Sequence, residues 1–71
     1  MSSPPEERWR PEVHERDLLG LLARGQTVDA AARQLGISSR TARRRLRALA
    51  DGLGVDTTIE VVVRAVRDGH I

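Results

Sequence analysis

The chain has no cysteine, no lysine, no phenylalanine and no tyrosine, and Trp9 is the only aromatic residue among its 71. Lack of cysteine excludes disulfide scaffolds and thiolate-ligated zinc folds. A chain this short buries only about 60% of its unfolded surface, so close packing of aliphatic side chains has to hold it together. One domain fits; two do not. No apolar run approaches the roughly 18 residues that a bilayer-spanning helix needs, so no membrane partner is expected. His14 and His70 lie far apart with no evident third ligand. Neither a metal nor any other cofactor is therefore expected. The acidic pairs Glu6–Glu7 and Glu12–Glu15 have no pocket to work in, and the second is explained by favourable charge at a helix start. There is no Ser-His-Asp arrangement, Walker-type loop or dinucleotide glycine fingerprint, and the chain reads as a non-enzyme.

What is present is charge, unevenly placed. All twelve cations are arginines, set against ten acids, for a net charge of +2. Within 38–55 stand Arg40, Arg43, Arg44, Arg45 and Arg47 with the single acid Asp51, whereas residues 1–17 are net negative. Concentrated positive charge points to an anionic partner, nucleic acid above all, although a basic stretch by itself also describes a solvated helix face. Residues 1–9 are rich in Ser, Pro and Glu and read as a flexible tail or linker remnant, leaving 10–71 as the folded domain. The start of the chain lacks the basic and apolar stretches of a secretory signal, so a cytoplasmic, nucleoid-associated location is the expectation.

Four helices are legible. Pro11 at a first helical position, followed by Glu12 and Glu15, predicts a helix to about Arg24, with Leu18, Leu19, Leu21 and Leu22 inward and Gly25 ending it. Thr27 caps a short second helix whose apolar stripe is Val28, Ala31, Ala32 and Leu35, stopped by Gly36. Ile37 is expected to be buried in the turn. Ser38 opens a third helix, about 38–52, with Ala42, Leu46, Leu49 and Leu53 on one side. A fourth begins near Thr57, whose spacing to Glu60 fits a capping box; Ile59, Val62, Val63 and Val66 are taken as its inward stripe and Gly69 as its end. Val61 and Ala65 then point outward, as a possible contact with a second copy. Trp9 could stack on a base, but packing ahead of the first helix as a hydrophobic staple is the preferred reading.

Helix, short glycine turn, helix is the pattern of proteins that lay their second helix into the major groove. The expected fold is all-α: a four-helix helix-turn-helix domain, with a tri-helical core plus a C-terminal helix. At 100° per residue, Arg40, Arg44 and Arg47 face away from Ala42, with Arg43 at one border and Arg45 nearer the core at the other. A guanidinium fork can bond guanine O6 and N7 together, or a phosphate, and stays charged at physiological pH.

The chain resembles the LuxR-type (GerE-type) helix-turn-helix domain found at the C-terminus of many bacterial response regulators and quorum-sensing activators. The resemblance covers roughly Val13 to Ile71. It is carried by Glu15-Arg16-Asp17-Leu18-Leu19, Leu22-Ala23-Arg24-Gly25, the run Ala31 to Ser38, Arg40-Thr41, Leu53-Gly54-Val55 and the final Ala65 to Ile71, with no insertion or deletion between Leu18 and Val55. The resemblance implies base contacts from Arg43, Arg44 and Arg47, phosphate contacts from Thr27, Arg40, Thr41 and Arg45, and dimerisation through the fourth helix, where Val61 and Ala65 are the candidates. Ala42 replaces the family's usual valine, Arg45 its histidine and Val13 a common proline, and Gly52 stands where lysine is general. Gly52 removes one backbone contact and loosens the end of the recognition helix. The implied function is sequence-specific binding of double-stranded DNA as a bacterial transcription regulator, with a homodimer and an RNA polymerase contact as possible partners. The competing class is a helix-turn-helix fold used as a protein interaction module that docks an acidic protein or a polymerase subunit.

Overall fold

The computed structural model describes residues 9–71. Apart from Trp9, the expected N-terminal tail lies outside the described residues. The element order is α1 (Val13–Ala23), α2 (Val28–Leu35), α3 (Ser39–Leu53) and α4 (Thr58–Arg67), with no strand among the described residues. The fold is all-α, as the helical periodicities require.

Each helix start follows from local chemistry. The Thr27 hydroxyl accepts a hydrogen bond from the Ala30 N–H at 3.0 Å, and the Ser38 hydroxyl accepts from the Thr41 N–H at 3.0 Å. Each supplies one of the acceptors that the first turn of a helix lacks. At α4, Glu60 completes the capping box by accepting from the backbone N–H of Asp56 and of Thr57, both at 2.9 Å. The start of α1 differs from the expected one. Glu12, not a residue before Pro11, is its N-cap, and the Glu12 N–H donates to the Glu15 carboxylate at 2.7 Å. Pro11 therefore stands one position ahead of the cap, buried, where its missing N–H costs nothing.

The turn between α2 and α3 depends on Gly36, whose φ of 73° lies in the left-handed region open to glycine. Its N–H reaches the Arg33 carbonyl and the Ile37 N–H reaches the Ala32 carbonyl, a double closure that satisfies the last carbonyls of α2. Ile37 packs half-buried against the core, and two residues later α3 begins in a new direction.

The core consists of Leu18, Leu19, Leu21 and Leu46, Val61 and Val62, and the alanines 31, 32, 42, 50 and 65. Five of these eleven core residues are alanines, so packing here relies on small side chains rather than on bulk. α3 touches α1, α2 and α4, while α2 and α4 do not meet. α3 is thus braced by three helices. Its inward side is rotated slightly from the expected one: Ala50 is buried, and Leu49 and Leu53 are only half-buried at the margin.

α4 is rotated from the orientation its β-branched stripe suggests: of Ile59, Val62, Val63 and Val66, only Val62 is buried. Val61 and Ala65 are fully buried, 0% exposed, whereas Ile59, Val63 and Val66 are 65%, 47% and 53% exposed. The assignment of Val61 and Ala65 to a dimer interface is therefore corrected; they are core residues. The physical reason is that six apolar residues between Ile59 and Val66 cover more than half the circumference of the helix, so periodicity alone does not choose a face. Close packing does. Ala65 lets α4 sit near its neighbours, and the bulkier residues at 59, 63 and 66 are left outside.

Candidate nucleic-acid interface

The arginines of α3 lie where the rotation of a helix puts them. Arg40, Arg43, Arg44 and Arg47 are exposed and Arg45 is half-buried on the opposite flank. Arg43, Arg44 and Arg47 line one open groove beside α3, together with Val28 of α2, Asp56 ahead of α4 and Thr58 at its start. The three residues expected to reach bases therefore share a surface. Asp51, exposed in the last turns of α3, also lines that groove and marks where its cationic character ends.

Among the described residues, Arg40, Arg44, Arg45 and Arg47 form no ion pair and no side-chain hydrogen bond. Arg43 differs. Its Nη2 donates to Oδ1 of Asp29 at 2.8 Å, a bridge from α3 to the first turn of α2, with both side chains more than half exposed. The Asp29 carboxyl is held below its ordinary range, first by the Ser39 hydroxyl beside it, then by the hydrogen bond and charge of Arg43, with a smaller pull from Arg33. At neutral pH the pair is ionic.

The hydroxyl residues expected at phosphates keep a donor to offer. Thr27 is exposed, and its oxygen accepts the capping bond, so its own O–H is free to donate outward. Thr41 is half-buried, and its Oγ1 accepts from the Ser38 hydroxyl at 2.9 Å. Its proton is likewise available. Thr27 at the head of α2 and Arg40 and Thr41 at the head of α3 thus flank the arginine face.

A family model for the homeodomain-like domain matches residues 7–55, well over half of the chain and the whole helix-turn-helix. The chain belongs to the homeodomain-like family. No curated protein and no solved structure matches it. A homeodomain-like helix-turn-helix domain points to DNA as the partner and away from catalysis. The matched stretch ends at Val55, so it takes in α1, α2 and α3 and stops short of α4. No helix of the described residues is long and apolar enough to cross a membrane.

Two features of this homeodomain-like domain escape a reading of the sequence alone. Asp29 looks there like an ordinary acid in a first helical turn; its use by Arg43, fourteen positions on, needs the turn geometry. The hint available was an acid at the head of α2, beside the most basic segment of the chain. Trp9 is the second. It is partly buried against the core, and beyond that its indole N–H reaches Asp68 and its ring meets His70 edge-on, centroids 4.6 Å apart.

Proposed function

We propose that this domain binds double-stranded DNA sequence-specifically as a bacterial transcription regulator of LuxR type, with α3 in the major groove. The observation that carries the reading is the outward side of α3, where Arg40, Arg44 and Arg47 stand exposed and, among the described residues, have no acid paired with them. Arg43, Arg44 and Arg47 read base edges, while Thr27, Arg40, Thr41 and Arg45 hold phosphates. The LuxR-type assignment rests on the ungapped residue pattern from Leu18 to Val55 and on the presence of a fourth helix after the homeodomain-like unit. A cytoplasmic, nucleoid-associated location and a contact with RNA polymerase accompany that reading.

Binding has two parts. Guanidinium contacts to phosphates release counterions and supply salt-dependent affinity for any duplex. Each good bidentate contact to a base adds about 1–3 kcal/mol of discrimination. A homodimer through α4 belongs to the same reading, and its support is the exposed row Ile59, Val63 and Val66 at i, i+4 and i+7. Sedimentation on a duplex with two half-sites should give two copies per duplex; one copy would remove the dimer.

Selection of duplexes from a random pool tests the whole. The wild-type domain should enrich a short motif, Arg44→Ala should relax one position of it, and Arg40→Ala should weaken all duplexes alike. Equal losses on selected and random DNA for both variants would refute the division of roles. Failure to retain any duplex, with capture of an acidic protein instead, would favour the interaction-module reading.

A further inference from the structure

The Asp29–Arg43 bridge is out of place on a surface meant for a polyanion. An exposed ion pair contributes little to stability, and Asp29 is not needed as a cap, because Thr27 already fills that role for α2. Its carboxylate also carries negative charge onto the face that approaches DNA. That is unfavourable for general affinity. What the contact does provide is geometry. One oxygen of Asp29 accepts from Arg43 Nη2 at 2.8 Å, across the turn from α2 to α3. Among the described residues, Arg43 is therefore the arginine of α3 whose guanidinium is biased to one orientation by an acid, and its remaining N–H donors are left to face the groove.

Charge separates two possible uses of such an arginine. Paired with Asp29, Arg43 is a poor phosphate ligand, since any register that sets it on a phosphate brings the carboxylate close to the same negative group. Guanine O6 and N7 carry no formal charge and accept two parallel N–H bonds from a correctly oriented fork. Pre-orientation lowers the ordering cost of forming those two bonds, which a freely rotating arginine would incur on binding.

We infer that Asp29 is a specificity-determining residue that positions Arg43 to read guanine and sets it apart from the phosphate-binding arginines, at the expense of general affinity. This rests on the DNA-binding reading above.

The test uses the full chain and fluorescence anisotropy on three duplexes: the one enriched from the random pool, the same duplex with the guanine read by Arg43 replaced by adenine, and a random duplex. The position read by Arg43 is the one at which Arg43→Ala loses preference. Wild type should prefer guanine there by about tenfold. Asp29→Asn should cut that preference several-fold while binding the random duplex more tightly than wild type does. Asp29→Glu, which keeps the carboxylate, should retain part of the preference. In the Arg43→Ala background, Asp29→Asn should leave base preference unchanged, because the residue acts through Arg43. The inference is overturned if Asp29→Asn keeps the full guanine preference, or weakens all three duplexes equally as a folding defect would. It is also overturned if the effect persists without Arg43. A wild type that prefers no base at any position would instead remove the DNA-reading assignment itself, and the inference with it.

Discussion

The indole Nε1 of Trp9 donates a 2.6 Å hydrogen bond to Oδ2 of Asp68, linking residues 59 apart in the sequence. The bond ties the segment ahead of α1 to the C-cap of α4, and the His70 ring packs edge-on against the same indole. The Asp68 carboxyl lies below its ordinary range chiefly because this N–H stabilises its charged form, with smaller pulls from Arg64, His70 and Arg67. Since the folded value is lower than the unfolded one, near 3.8, the stabilisation is complete above that pH and is lost as the pH falls through the folded value. Trp9→Phe should therefore melt at lower temperature than wild type at pH 7, and the gap should narrow below about pH 4. A gap that is constant down to pH 2 would mean that ring packing alone holds the two segments together.

Gly52 inside α3 and Gly36 in the turn before it should respond in opposite directions. Gly52 is helical, and a Cβ added there would meet open space. Gly52→Ala should stabilise the domain by about 0.5–1 kcal/mol. Gly36 has left-handed φ, and Gly36→Ala should cost about 1–2 kcal/mol with no clash involved. Urea unfolding of both variants measures the difference.

The orientation of α4 is open to a paired substitution. Val61→Asp would bury an unpaired carboxyl among Leu and Ala side chains and should leave the domain unfolded at 25 °C. Val63→Asp lies on the exposed row and should change stability by less than about 0.5 kcal/mol, while abolishing any second copy on a two-half-site duplex. Far-ultraviolet circular dichroism separates the two outcomes.

Helix order, caps and the α2–α3 turn could be read from residues because they are local: Thr27, Ser38 and Thr57 each bond a backbone N–H three positions on, and Gly36 needs only its own φ. The outward arginines of α3 were legible for the same reason, since Ala42 and Leu46 leave one possible inward side. The face of α4 was not. Its apolar residues surround too much of the helix, and only contact with the other helices selects Val61 over Val63. Trp9 to Asp68 and Asp29 to Arg43 were hidden for a related reason: each joins residues that only the tertiary fold brings together.

The most direct test of the central claim, that the unpaired arginine face of α3 binds a duplex, is the affinity for random duplex DNA between about 50 and 200 mM salt. On a random duplex, which offers no preferred base, Arg44 and Arg47 fall back on phosphates beside Arg40 and Arg45, so the slope of log Kobs against log salt should be steeper than about −3, and Arg40→Ala should make it shallower by about 1. A slope near zero, or one that Arg40→Ala leaves unchanged, would contradict the account.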